Sequence, residues 1–167
     1  MSIRRKLEAA LVKYTKANAT PRIRAMTFVE GHENCEPELP YGTCYCSDAK
    51  PHDDLPPEEG VKLCTVIFHV KTQADDEERK KADLRVSELE DFILAPLDQD
   101  APFSDDNKMC GALLAALNKP EDGDDNRAVK GLHLYDFYPA DDSDSMDGSA
   151  WHDQLVFTVV AQDFDSH

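Results

Sequence analysis

The residues of this sequence best suited to metal chemistry are five cysteines and six histidines. His32, Cys35, Cys44 and Cys46 lie close together, with Cys64 as an alternate, and their nitrogen and sulfur atoms are preferred zinc ligands. Structural zinc sites use cysteine pairs separated by about two to four residues. Only one residue separates Cys44 from Cys46, and we expect these two to face opposite sides of a strand. This spacing disfavours zinc. We therefore predict no metal and no cofactor, with a Cys/His metal-binding adaptor as an alternative.

The cysteines are expected to be reduced thiols, since their odd number does not complete a disulfide framework. The first residues are basic, but residues 7–14 are too short and too polar for the apolar part of a signal peptide. No run of about 18 apolar residues could span a membrane. We expect a protein made in the cytosol, where thiols stay reduced, with Cys64 and Cys110 as small core side chains.

The sequence has none of the local motifs that common catalytic sites need. Its seven glycines are scattered and form neither a dinucleotide-binding nor a phosphate-binding loop. No nucleophile turn of the G-x-S-x-G type is present. A Cys64–His133 pair is conceivable for nucleophilic catalysis, but the sequence indicates no base or orienting group beside it. We predict no catalytic residues and a protein that is not an enzyme.

Two acidic segments resemble calcium-binding loops in part. In residues 142–148 the glycine is correctly placed if Ser143 is the first position, but Gln154 then stands where a bidentate glutamate should be. In residues 122–126 the acidic residues alternate correctly, but Arg127 occupies the glycine position. Charged, solvated loops are the simpler interpretation of both segments.

The charge of the chain is large and unevenly distributed. The formal net charge is −16, which opposes binding of the general surface to the DNA backbone. Residues 1–24 nevertheless carry seven basic side chains and one acidic side chain, Glu8, while residues 25–167 carry 11 basic and 33 acidic side chains. A basic start on an acidic body suits head-to-tail contact between copies, or contact with an acidic partner. A solvated helix face without a partner is the alternative.

The elements that position these residues follow from hydrophobic periodicity and from helix and strand boundary signals. Ser2 is a plausible N-cap of the first helix, and a strand covered on both sides is expected in the middle of the chain. We predict a first helix over 3–17, strands over 22–30, 41–47, 61–72, 129–138 and 151–162, a long helix from Asp75 to Pro96, and a shorter helix over 106–117.

This order predicts a single α+β domain over residues 1–167, in which a mainly antiparallel sheet carries an N-terminal helix and two helices packed on one face. Residues 31–60 are expected to form an irregular insertion, since they hold five of the ten prolines. Residues 139–150 are expected to form a mobile acidic loop.

The order of elements resembles the tail terminator and related neck proteins of tailed bacteriophages. The first helix (SIRRKLEAALVKY), the central strand (VKLCTVIFHVKT) and the following helix (ERKKADLRVSELEDFIL) carry the resemblance. The segment NKMCGALLAALN and the last two strands, VKGLHLYDFY and WHDQLVFTVVAQDF, complete it. The chain departs from the family pattern at residues 31–60, which are longer and richer in cysteine.

The resemblance implies a virion structural protein at the tail–neck junction, assembled in the host cytoplasm. Such proteins form a homo-oligomeric ring, commonly a hexamer, that caps the tail tube and joins it to neck or connector proteins, while genomic DNA passes through without specific binding. A head-completion or stopper protein is the alternative within the same assembly. The family implies no catalytic residues and no membrane partner.

Overall fold

The computed structural model describes residues 2–24, 27–30, 41–51, 60–73, 76–118, 131–147 and 150–164. For residues 27–29, 72–73, 76–83, 141–147 and 150–153 it describes the backbone but not the side chains. His32 and Cys35, half of the zinc set considered above, therefore lie outside the described residues. So do residues 122–127 of one acidic segment.

Five strands form one sheet in the order β1-β2-β3-β5-β4, so β3 is central and β1 and β4 are the edges. Strand β1 runs parallel to β2, and the other three pairings are antiparallel. The predicted α+β fold with a mainly antiparallel sheet is confirmed. The elements are α1 (Ile3–Asn18), α2 (Pro21–Arg24), β1 (Thr27–Glu30), β2 (Tyr41–Pro51), β3 (Val61–Gln73), α3 (Asp76–Leu94), α4 (Gly111–Leu117), β4 (Leu132–Asp147) and β5 (Ala150–Asp163).

The core lies between the helices and one face of the sheet, here called the inner face. Leu7 and Leu11 of α1, Leu89 and Ile93 of α3, and Leu113 of α4 are fully buried against it. The strands contribute alternate residues, as a sheet with one covered face requires. The buried inner-face side chains of the strands include Cys44, Cys46, Cys64, Val66, Phe68, Val70, Leu155, Phe157, Val159 and Ala161.

The other side of the sheet, here called the outer face, is only half covered. Tyr45, Leu63, Ile67, Val156 and Val160 lie there, and each is partly exposed. In the described part of the chain no helix packs on this face. Val61 and Lys71, near the two ends of β3 on this face, are buried, and the coverage of the central strand on both sides stays a prediction.

Helix α1 begins where the sequence predicts. The Ser2 side chain accepts a hydrogen bond from the Arg5 backbone N–H at 3.4 Å, as an N-cap residue does. Two contacts then fasten the helix to distant elements. Lys6 Nζ lies 2.7 Å from Asp163 Oδ1 at the end of β5, and the ring of Tyr14 stacks on that of Phe92 in α3 with centroids 5.1 Å apart.

Two predicted elements are shorter than expected. Residues 22–24 belong to the helical turn α2 and not to a strand, because Pro21 occupies the first helical position, where proline is favoured. The helix predicted over 106–117 begins at Gly111, because Cys110 adopts a left-handed conformation with φ of 63° that a helix cannot continue.

Two segments predicted as irregular are strands in the structure. Residues 139–147, expected as a mobile acidic loop, continue β4 and pair with β5 as far as Asp147. Residues 41–51 of the expected irregular insertion form β2, which is longer than the predicted strand over 41–47. Composition misleads in both cases, because pairing with a neighbouring strand satisfies the hydrogen-bonding groups of the backbone whatever the charge of the side chains. In addition, β4 is an edge strand, and an edge strand tolerates acidic residues and Pro139.

Candidate assembly surfaces

The four described cysteines lie in the core and not at the surface. Cys44 and Cys46 point to the same side of β2, so the expectation of opposite sides is wrong: residues two apart in a strand share a face. Cys64 joins them from β3, and Cys44, Cys46, Cys64 and Cys110 are all free and buried. These four thiols belong to the core, as expected for Cys64 and Cys110.

A hydrogen bond links the thiols of Cys46 and Cys64. The register of β2 against β3 shifts between Cys46 and Asp48, which brings Cys64 opposite Ala49 and close to Cys46. The hydrogen bond from Cys64 lowers the pKa of the Cys46 thiol, and the same bond together with burial raises the pKa of Cys64 well above its usual value. Cys46 in turn donates to the Asp48 carbonyl oxygen at 3.2 Å. Two buried thiols that both take part in hydrogen bonds fit a packing role.

The structure separates the other chemical candidates. His133 pairs with Gln162 and lies on the outer face, beside the ring of Tyr135, whereas Cys64 pairs with Val159 on the inner face. The conceivable Cys64–His133 pair therefore does not form. Among the described residues, no three His, Cys, Asp or Glu side chains come together as metal ligands. Residues 142–147 form part of a strand and not the compact loop that calcium binding needs.

The exposed charges of residues 2–24 are all positive. The seven basic side chains counted in the sequence divide into one buried residue, Lys6, and six exposed ones. Glu8, the single acid of this segment, is buried and accepts a hydrogen bond from the Cys46 backbone N–H. The basic surface of the two N-terminal helices consists of Arg4, Arg5, Lys13, Lys16, Arg22 and Arg24.

A second surface lies on the connection between α3 and α4, residues 95–110, here called the Asn107 loop. The buried Asn107 side chain donates to the carbonyl oxygens of Asp98, Ala101 and Pro102 at 2.8, 3.2 and 3.2 Å, and it accepts from the Asp98 N–H at 2.9 Å. At its end, the Cys110 N–H donates to the Leu94 carbonyl oxygen at 3.1 Å. The Asn107 side chain therefore supplies hydrogen bonds that backbone groups would make with one another in a regular helix or strand.

The Asn107 loop presents both apolar and acidic groups to solvent. Leu97 is 64% exposed, Phe103 63% and Met109 40%. Four aspartates of the loop, Asp98, Asp100, Asp105 and Asp106, are also exposed. Exposure of a large aromatic side chain to water costs free energy. A fixed loop that exposes Phe103 is therefore typical of a surface that binds another protein.

A cleft of about 500 Å³ lies between α1 and α4. Its floor is mostly apolar, and Lys13 and Tyr14 contribute to its α1 side. A shallower depression continues along α1 past Lys13 to Lys16. The cleft is lined by Lys13, Tyr14, Ala17, Asn18, Leu97, Ala112, Ala115, Ala116 and Leu117.

The sequence did not reveal the Asn107 loop, because the apolar periodicity of residues 109–117 predicts a helix that also covers residues 106–110. Met109, which lies inside this predicted helix, is 40% exposed. The signal that could have identified the loop is Pro102 followed by residues 104–107 (SDDN), a cluster typical of turns.

No family model matches this chain, and no curated protein matches its sequence. Among the helices in the described ranges, none is both long enough and apolar enough to cross a membrane. The function must therefore be inferred from the order of elements and from the surfaces above.

Proposed function

We propose that this protein is a virion structural protein of a tailed bacteriophage: a tail terminator that forms a homo-oligomeric ring, commonly a hexamer, at the junction of tail and neck. The observation that carries the proposal is the combination of the element order with two fixed surfaces of opposite charge, the basic face of α1 and α2 and the acidic, apolar Asn107 loop. A protein that carries two unlike, complementary surfaces can join copies head to tail, and such contacts close into a ring if the rotation allows it.

The charge of the whole chain supports this position in a virion. Residues 25–167 carry 33 acidic and 11 basic side chains. A ring with an acidic body repels the phosphates of a passing duplex, since both carry the same sign. DNA can then slide through the ring without being held.

The ring would cap the last ring of the tail tube and stop its growth by covering the end surface. Its partners are the tube protein on one side and neck or connector proteins on the other. The protein would be assembled in the host cytoplasm and remain in the virion. Specific recognition of DNA has no role in this function, and the burial of the four described cysteines in the core gives no support to the alternative metal-binding adaptor.

The test is end-capping of tail tubes. Tubes are polymerised from a phage tail-tube protein, the purified protein is added, and electron microscopy counts the tube ends that carry a ring. Native mass spectrometry of the added protein gives the number of subunits. We expect a discrete oligomer, one capped end per tube, and tubes that stop elongating. If the protein binds isolated heads and not tubes, it is a head-completion or stopper protein. If it remains monomeric and binds neither, the proposal is wrong.

A further inference from the structure

We propose that the Asn107 loop of one copy docks in the cleft between α1 and α4 of the next copy. In this contact Phe103 is the apolar anchor, and the aspartates of the loop face Lys13 and Lys16. The inference rests on the proposed function, since it assigns the two halves of the contact by which the ring assembles. It commits to a second copy of this chain as the occupant of the cleft.

The Asn107 loop is already in a fixed conformation before it docks. Asn107 is 7% exposed, and its amide group makes four hydrogen bonds to the backbone of residues 98–102. Ser104 adds a reciprocal pair of backbone bonds with Asn107, each 3.2 Å long. A segment that is ordered before it binds loses little conformational entropy on docking. Docking of Phe103 therefore costs little conformational entropy.

The cleft offers the apolar surroundings that Phe103 lacks in its own copy. Phe103 does not line the cleft of its own copy, and its side chain is 63% exposed. The apolar lining of that cleft comes from alanines of α1 and α4, from Leu117 of α4 and from Leu97 of the loop, and at about 500 Å³ the cleft exceeds the volume of one aromatic ring. Anchors of this kind, an aromatic side chain in an apolar pocket, supply most of the binding energy at protein interfaces.

The charges around the cleft and beside Phe103 are complementary. Lys13 lies at the rim of the cleft and Lys16 follows one turn later along α1, both exposed. Asp105 and Asp106 follow Phe103 in the loop and are also exposed. Opposite charges around an apolar anchor fix its orientation and speed association. Another negatively charged protein could use the same lysines, but a second copy supplies the loop at equal concentration.

The contact is heterologous, because Phe103 and the cleft are different surfaces and every copy carries both, although Leu97 of the same loop lines the cleft of its own copy. A copy with a defective loop still has a cleft, and a copy with a defective cleft still has a loop. Mixing the two must therefore restore one contact and give a dimer that cannot grow further. A contact in which each surface meets itself cannot behave in this way.

The experiment uses Phe103→Ser as the loop variant and Lys13→Glu/Lys16→Glu as the cleft variant, both in the full chain. Sedimentation velocity and native mass spectrometry measure assembly. We expect each variant alone to associate roughly 30-fold more weakly than wild type, the effect of removing an aromatic hot spot. We expect the equimolar mixture to give a one-to-one dimer. Circular dichroism checks that each variant is folded.

Matched controls separate the contact from general effects of the substitutions. Phe164→Ser removes an equally exposed phenylalanine, 61% exposed, from the end of the sheet. Lys50→Glu reverses the charge of an exposed lysine of β2, which belongs neither to the N-terminal helices nor to the lining of the cleft. Both controls should assemble as wild type does. A complementary variant, Asp105→Lys/Asp106→Lys, should bind the cleft variant better than it binds itself.

The outcomes separate this inference from the function on which it rests. If wild type assembles and caps tubes while Phe103→Ser does so equally well, the loop–cleft contact is wrong and the terminator proposal stands. If the mixture gives no dimer although each variant alone fails to assemble, the two surfaces do not meet and the inference is overturned. If wild type neither assembles nor caps tubes, the proposed function fails first.

Discussion

The ion pair of Lys6 and Asp163 joins residues 157 positions apart, and both side chains are almost completely buried, 9% and 4% exposed. It therefore fixes the first helix against the last strand. The exposed pair of Arg22 and Glu88, 3.4 Å apart, joins α2 to α3 at the surface, where solvent screens it. The two pairs should differ widely in their contribution to stability.

Lys6→Met is expected to lower the free energy of unfolding by about 3–5 kcal/mol, because it removes a partner from a buried carboxylate. The double variant Lys6→Met/Asp163→Leu should recover most of this loss, since it leaves no charge behind. Urea unfolding measures both. Arg22→Met is the control and should cost about 1 kcal/mol or less. Equal losses for Lys6→Met and Arg22→Met would contradict the assigned role of burial.

The thiols give a second prediction at this scale, made in a Cys35→Ser background that leaves Cys44, Cys46, Cys64 and Cys110. All four are buried, and burial raises the pKa of Cys110 to about 12. The pKa of Cys46 is lowered, but its burial keeps the reagent away from the thiol. Because the thiolate is the reactive form and must be accessible to the reagent, we expect no rapid reaction with an aromatic disulfide reagent at pH 8. Unfolding in urea should expose all four thiols. A thiol that reacts rapidly in the folded protein would show that one of these side chains is accessible.

Helix α4 and the Asn107 loop depend on each other at the scale of elements. The helix begins at Gly111, where a Cβ atom would lie 3.0 Å from the Leu97 backbone nitrogen. The loop therefore approaches the start of the helix so closely that a side chain at position 111 would displace it. The same approach brings Leu97 to the edge of the cleft.

Gly111→Ala should destabilise the protein by about 1–2 kcal/mol. Overpacking costs about 1–3 kcal/mol, and the better helix propensity of alanine returns up to about 1 kcal/mol. Thermal or urea unfolding measures the change, and hydrogen exchange should show weaker protection in the loop. The exposed Ala115→Ser is the control, with an expected cost of about 0.5 kcal/mol or less. Stabilisation by Gly111→Ala would show that the loop moves away freely.

Strand β4 shows why composition alone misleads at this scale. Its second half, residues 139–147, is acidic and contains Pro139, so the sequence indicates a loop. Because β4 is an edge strand, it has one neighbour to satisfy and can carry charge and proline without loss. The acids also oppose further pairing at this edge, which protects an exposed strand from aggregation.

The formal net charge of −16 leads to a prediction for the whole molecule. A chain this acidic should show no saturable binding to a 30-base-pair duplex at physiological salt, where weak nonspecific binders typically have Kd values of about 10⁻⁴–10⁻⁶ M. Fluorescence anisotropy measures the binding. Asp98→Lys/Asp100→Lys/Asp105→Lys/Asp106→Lys, which reverses the charge of the loop, should increase the affinity. Tight, salt-dependent binding by wild type would contradict free passage of DNA through a ring.

The sequence by itself determined the fold class, the first helix with its Ser2 cap, and the central strand β3. These follow from local patterns, because periodicity and capping depend on residues close together in the chain. The buried stripe of α1 is where the spacing of Leu7, Ala10 and Leu11 places it. The concentration of basic residues before position 25 was also visible in the sequence.

The tertiary structure alone decided which of those residues meet. That Lys6 is buried while six other basic side chains are exposed depends on Asp163, far away in the sequence. The common face of Cys44, Cys46 and Cys64 depends on the register of β2 against β3. The Asn107 loop exists because one buried amide bonds three carbonyl groups, a contact that no periodicity encodes. Long-range contacts of this kind are set by packing and backbone pairing, and so the two candidate surfaces emerge only in the folded chain.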